Sequence, residues 1–416
     1  MERILLLLVI TSTAFSQSTE DISKLINDVF VTPSGGRNSF DNLVEVTSPA
    51  SQGFSAIEKC GEGSDEGIHK CVRYYECDGV TKMIVPGGTT NIQPEIDIRM
   101  GEDSPCAHPL EVCCGIPAGG DPNQQVSTTT SAPVTPRPSS VKCGIRNVNG
   151  IDFKITGNMD GEAEYGEFPW MVAILRTNPA PGETLSICGG SLIANNVVLT
   201  GGHCVSKLKT IQYKVRAGEW DTQTDKERLP YQERNVVQAI IHPEFTENTV
   251  YNDIALLVLD RPFTQADNIG TVCLPEQGEV STSANCYASG WGKDVFGKEG
   301  KFQVIMKKIE LPMVQFSKCQ DALRQTRLGP KFLLHNSFIC AGGEAGKDTC
   351  TGDGGSPLVC PDTKVPGRYY QSGIVSWGIG CGEKNVPGVY ANVAKFRNWI
   401  DTQMAGLNLK TDSYII

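Results

Sequence analysis

Apolar residues fall along the second half of this chain in short bursts separated by turn-forming residues. Met171–Leu175, Ser191–Leu199, Ile254–Leu259, Gly373–Trp377 and Gly388–Val393 are each bounded by Gly, Pro, Asn or Asp. Runs of this length and spacing predict the strands of an all-β barrel or sandwich. One amphipathic helix is predicted over Val393–Met404, closing the domain. Near the start, the apolar run Ile4–Ile10 follows Glu2 and Arg3 and precedes Ala14-Phe15-Ser16. That pattern reads as a secretory signal over residues 1–16. The run is too short to span roughly 30 Å of hydrocarbon, so no membrane anchor is expected. Residues 17–59 form an N-terminal extension in which Ile22, Leu25, Ile26 and Phe30 have helical spacing. Gly35-Gly36 and Pro49 interrupt the rest of it, and the extension reads as a flexible arm.

The cysteines change the picture most. There are 16, six between residues 60 and 114 and ten between 143 and 381. An even number in a secreted chain implies a disulfide framework. With five His and no paired Cys-x-x-C motifs, zinc is not expected. Between the two groups, residues 115–142 carry Ser127–Ser131, Pro133, Pro136 and Pro138. Such a stretch buries too little apolar surface to order itself and reads as an extended linker. A net charge of −10 without a Lys/Arg run argues against nucleic-acid binding.

Residues 60–114 are too few for a large core, so cross-links must supply much of their stability, about 2–4 kcal/mol each. Cys71–Cys77 reads as a short strand. Six cysteines alone leave fifteen connectivities open. Their order, ending in Cys113-Cys114, resembles the clip domain found ahead of arthropod serine proteases. The resemblance implies the pairs Cys60–Cys113, Cys71–Cys106 and Cys77–Cys114. In the stretch before Cys106, the Arg99–Met100 bond is a cleavage candidate, and a plain surface arginine is the alternative.

From residue 143 to 416, four motifs resemble trypsin-like serine proteases. Leu199–Cys204 matches the catalytic-histidine motif and Asn252–Leu257 the catalytic-aspartate motif. Ser376–Cys381 matches the strand that pairs with substrate, and Asp348–Leu358 the nucleophile loop. The expected fold is therefore mostly β, a trypsin/chymotrypsin-like double β-barrel preceded by a small disulfide-rich clip domain. The resemblance implies five further pairs, Cys143–Cys273, Cys188–Cys204, Cys286–Cys360, Cys319–Cys340 and Cys350–Cys381. It assigns Asp348, Gly378 and Gly388 to the remnant of a Lys/Arg specificity pocket.

The chemistry of such a site needs a serine, a histidine that takes its proton and an aspartate that orients the histidine. His203 and Asp253 are present, but the serine slot of Gly352-Asp353-Gly354-Gly355-Ser356-Pro357 holds Gly354. Ser356 lies two residues on, up to roughly 7 Å away along the chain, where near-attack geometry fails. The segment that active relatives expose as a new N-terminus has its nearest counterpart at Lys154-Ile155-Thr156-Gly157, two residues out of place. Glu219, Asp221, Thr224 and Glu227 resemble a calcium loop, since hard calcium prefers carboxylate and carbonyl oxygens. A solvated acidic turn is the alternative.

Together these features resemble the non-catalytic clip-domain serine protease homologues of the prophenoloxidase-activating type. The resemblance implies a haemolymph cofactor in melanisation that binds prophenoloxidase or phenoloxidase. It also implies cleavage by an upstream clip protease, followed by self-association. The competing readings are a microbial-pattern recognition or adhesion protein on a dead protease scaffold, and a residual trypsin-like protease using Ser356.

Overall fold

The computed structural model describes residues 143–416 apart from 153, 157–160, 178–182, 207–212, 225–226 and 295–299, together with short stretches between 45 and 116. The signal at 1–16, the helical spacing at Ile22–Phe30, Arg99, Met100 and residues 117–142 of the linker lie outside the described residues.

Two seven-stranded antiparallel sheets build the large domain. In the first, the strands lie in the order Glu45–Thr47, Glu183–Ala194, Met171–Thr177, Tyr213–Ala217, Gln232–Ile241, Ala255–Leu259 and Val197–Thr200. Val197–Thr200 pairs back onto Glu183–Ala194, and the sheet closes. In the second, the order is Lys307–Leu311, Cys286–Gly290, Pro357–Pro361, Tyr369–Trp377, Pro387–Asn392, Phe338–Gly342 and Met313–Val314. Among the described residues, three helices complete the domain: α1 (Gly202–Val205), α2 (Phe316–Arg324) and α3 (Val393–Gly406). This is the mostly β, double-barrel fold that the sequence predicts.

Strand alternation explains why the apolar runs are nearly continuous. Val172 and Ile174 point into the first barrel. Met171, Ala173 and Leu175, their neighbours, point outward into a second core shared with Trp291, Met306, Val359 and Ile374 of the other sheet. Successive side chains of a strand face opposite ways, so a strand buried on both faces has no polar position to spare. The same two-sided burial hides a turn. Ser191–Leu199 is not one strand but two, reversing at Asn195-Asn196. α3 runs to Gly406 and packs Phe396, Ile400 and Met404 into the shared core. Asn392 caps it by accepting a hydrogen bond from the Lys395 amide.

Residues 59–60, 69–73 and 111–115 form a separate three-stranded sheet around a small core of Val72, Cys77, Ile84 and Cys114. The strand beginning the Cys71–Cys77 stretch ends at Arg73, short of Cys77. Cys77 is bonded to Cys114, and Cys71 and Cys113 are also in disulfides. In the large domain the bonds are Cys143–Cys273, Cys188–Cys204, Cys286–Cys360, Cys319–Cys340 and Cys350–Cys381.

Two backbone pairings were not legible in the sequence. Glu45–Thr47 of the supposedly flexible arm docks as an edge strand on Glu183–Leu185. Glu95–Asp97, just before Arg99, pairs in parallel with Lys154–Thr156. Among the described residues, no helix is long and apolar enough to cross a membrane.

The Cys143–Cys273 bridge spans the Lys154 segment. A specific protease site inserted after Gly157 and cut should therefore leave the front part attached on a non-reducing gel and free it only on reduction. Release without reductant would contradict this connectivity.

Candidate functional site

His203 is the second residue of α1, which follows the strand Val197–Thr200 after Gly201, and Asp253 sits two residues before the strand Ala255–Leu259. These strands are antiparallel neighbours, with Ala255 opposite Thr200, so residues 50 apart in sequence meet. Asp253 is fully buried. Its Oδ2 lies 2.7 Å from His203 Nδ1, and its Oδ1 accepts from the His203 amide at 2.9 Å. Ser376 Oγ donates to Oδ2 as well. A carboxylate on Nδ1 favours the tautomer protonated there and leaves Nε2 as an acceptor facing the other way. Ser376 belongs to a motif that the sequence shows, but its bond to Asp253 had no local signal.

Nε2 faces the sulfur of Cys204, 3.4 Å away, and the backbone of Gly354. A Cβ built on Gly354 would lie 2.7 Å from His203 Nε2, closer than real side chains come. The loop is pinned there: the Gly189 amide donates to Gly354 O at 2.9 Å, and the Gly355 amide donates to Val375 O at 2.9 Å. The left-handed φ of +80° at Gly355, with Gly189 O 2.5 Å from any Cβ, demands glycine at that position too. Ser356 is buried, and its hydroxyl has no hydrogen-bond partner, His203 included. Its Oγ points at Gly189, where a Cβ would come within 2.0 Å. Ser356 is therefore not presented to the imidazole as a replacement nucleophile.

Behind this loop lies a cavity of about 480 Å³ with Asp353 and Asp348 in its wall. Asp353 accepts from the Gly292 amide at 2.8 Å and the Cys350 amide at 3.0 Å. Asp348 accepts from the Thr349 amide at 2.9 Å and the Gly382 amide at 3.3 Å. Neither carboxylate meets a cation within ion-pair distance among the described residues. The lysines that also line the cavity are turned elsewhere: Lys308 to Glu167 at 2.7 Å, Lys307 to Glu162, and Lys293 to the face of Phe302. Both residues are half-buried and line the cavity. Burial pushes Asp353 up to about 6. It pushes Asp348 up to about 7, with a smaller contribution from the charge of Asp353. Gly388 lies against Asp348, its virtual Cβ 2.8 Å from Oδ1, while Gly378 and Gly388 are not part of this cavity's wall. Lys154–Thr156 is engaged in the ribbon with Glu95–Asp97. The lysine rim was not legible in the sequence, because it is assembled from separate strands.

Glu219, Asp221 and Glu227 are buried rather than solvated. Glu219 Oε2 receives Arg216 Nη1 at 2.7 Å, and Oε1 accepts from the Trp220 amide at 3.1 Å. Glu227 accepts from the Asp221 amide at 3.0 Å, and the Thr224 amide donates to Asp221 O at 3.3 Å. Burial raises Glu219 to about 7 against the pull of Arg216, and burial plus the charge of Glu219 raises Glu227 well above the usual range. Two buried carboxylates that repel each other, in an all-oxygen donor set, fit a hard cation. Among the described residues, the group whose ligand atoms all lie within 4.8 Å is instead Cys188, His203 and Cys204, and its sulfurs are consumed in a disulfide. A cation at Glu219 and Glu227 would thus draw on backbone carbonyls as well.

The double barrel with a histidine–aspartate pair at its strand ends defines a chymotrypsin-like serine-protease scaffold. Comparison with known proteins agrees: the family described as Trypsin matches residues 159–400, and that described as Serine protease Clip domain PPAF-2 matches residues 58–115. Phenoloxidase-activating factor 2 of Galleria mellonella is 54% identical over 295 residues, covering 68% of this chain and 97% of the relative. Inactive CLIP domain-containing serine protease A8 of Anopheles gambiae is 35% identical over 357 residues, covering 83% and 92%. Phenoloxidase-activating factor 3 of Holotrichia diomphalia is 32% identical over 277 residues, covering 63% and 75%. The chain belongs to the clip-domain serine protease homologues.

Two outcomes are expected from this geometry. Gly354→Ser should cost about 1–3 kcal/mol of stability, because the loop or the imidazole must move to admit a side chain. Chemical denaturation would measure it, and a neutral effect would mean that the loop is not pinned. Asp348 and Asp353 hold protons in the folded chain that an unfolded carboxylate releases near pH 4. Their contribution to stability is therefore fully present below about pH 4 and is lost as pH rises through about 6 and about 7. Melting curves from pH 4 to 8 should slope downward, and Asp353→Asn should flatten the slope. An unchanged slope would show that Asp353 titrates normally.

Proposed function

We propose that this chain is a secreted, non-catalytic cofactor for prophenoloxidase activation in melanisation. One observation carries the reading. An intact His203–Asp253 pair faces a glycine, Gly354, so close that a side chain there would require the loop or the imidazole to move. Without a hydroxyl to deprotonate, the pair cannot begin acyl transfer, and only about 10³–10⁴ of rate over water survives the loss of a triad member. Gly354 is thus the vacated serine slot, and Asp348, Gly378 and Gly388 are the remnant of the specificity pocket. The names of relatives support the rest: two are phenoloxidase-activating factors and others are inactive CLIP domain-containing serine proteases.

The partners in this reading are prophenoloxidase or phenoloxidase and an upstream clip protease that cuts at Arg99–Met100. Self-association follows the cut. Glu95–Asp97 leads straight into that bond, so its pairing with Lys154–Thr156 couples the cleaved loop to the front of the large domain. Haemolymph, an oxidising extracellular fluid, suits a chain whose described cysteines are all bonded. Calcium at Glu219, Asp221, Thr224 and Glu227 would neutralise the buried repulsion there.

Purified, processed protein should raise phenol oxidation strongly when mixed with prophenoloxidase and its activating protease, while cleaving no arginyl test substrate itself. No increase would sink the melanisation role. Labelling by a serine-directed phosphonate would sink the non-catalytic one. For calcium, the melting temperature should rise on adding the ion and fall back with a chelator, and Glu227→Gln should abolish the difference. An identical melting temperature in both would remove the ion from this account.

A further inference from the structure

The face around the start of α3 carries a basic and an acidic surface stretch, each with at least one exposed apolar side chain. The first is built from α2 and the loop after it. Phe316 and Leu333 are 43% and 65% exposed, and Leu333 is the most exposed large hydrophobic among the described residues. Lys318, Arg327 and Lys331 of the same stretch are exposed and make no ion pair among the described residues, while the exposed Asp321 of α2 is paired with Arg324 at 3.1 Å. This basic cluster stands out in a chain of net charge −10.

Leu333 is held outward by construction. Its neighbours Phe332 and Leu334 are buried, and Phe332 packs edge-on against Trp377 with centroids 6.2 Å apart. Arg324 Nε donates to Phe332 O at 2.9 Å, and Gln320 Oε1 accepts from the Leu334 amide at 3.0 Å. The Cys319–Cys340 disulfide ties α2 to the barrel. An apolar side chain fixed in this way loses little entropy when it is covered.

The second patch is the turn Glu276–Val280. Glu276 and Glu279 are exposed and meet no cation among the described residues, and Val280 is 45% exposed beside them. The patches are linked through one residue. Lys395 Nζ donates to Asn336 Oδ1, three residues beyond Leu333, and Lys395 O accepts from Gln277 Nε2 at 2.9 Å.

We infer that this face pairs two copies of the chain about a two-fold axis. A two-fold contact is self-complementary, so a basic patch beside an acidic one is used twice, each meeting its opposite on the other copy. Leu333, Phe316 and Val280 supply apolar contact, and the surrounding charges fix register and orientation. The inference deepens the self-association in the proposed function and rests on it.

The test is sedimentation of the processed full-length chain over a range of concentration. Arg327→Glu with Lys331→Glu makes both patches acidic, and Glu276→Lys with Glu279→Lys makes both basic. Each double variant should associate at least about tenfold more weakly than wild type. An equimolar mixture of the two should associate again, because both contacts are then complementary, and that recovery also shows that both variants fold. If wild type associates and the variants associate equally, or the mixture does not recover, this face is overturned while self-association stands. If wild type stays monomeric at every concentration, both fall. Variants that associate like wild type yet lose cofactor activity would reassign the basic patch to an acidic partner protein and overturn the two-fold pairing.

Discussion

The constraint on which this site depends is the close approach of the Gly354 backbone to the His203 imidazole. Asp253, buried and hydrogen-bonded three ways, fixes the ring. Gly189 and Val375 fix the loop opposite. The 2.7 Å left for a Cβ is then a property of the packing, not only of the missing hydroxyl. Retention of the His–Asp pair is consistent with its structural work: it joins α1 to the neighbouring strand and gives a buried carboxylate its donors.

The same loop explains the buried acids behind it. Asp353 is satisfied by two backbone amides and meets no cation among the described residues, so burial sets its behaviour. An unpaired carboxyl that deep is costly unless it keeps its proton. The lysines that line the cavity in front of it are engaged with Glu162, Glu167 and the ring of Phe302.

Much of this was legible in the sequence, for local reasons. Leu199–Cys204 and Asn252–Leu257 carry their chemistry within six residues, so His203 and Asp253 could be read directly, and Gly354 stood out against the loop around it. The barrel strands were legible as apolar bursts. The break at Asn195-Asn196 was not, because both strands it joins are buried on both faces. The edge pairing of Glu45–Thr47 was missed because three residues make no periodic pattern. The orientation of Ser356 and the lysine rim were out of reach because both are set by residues distant in the chain.

The central claim is that this scaffold acts by binding and not by cutting. The most direct test is the phenol-oxidation assay with His203→Gln, which removes the base facing Gly354 yet keeps an amide to bond Asp253. The account predicts cofactor activity equal to that of the unmodified chain. Loss of activity by a correctly folded His203→Gln protein would contradict it, and would mean that the imidazole still does chemistry.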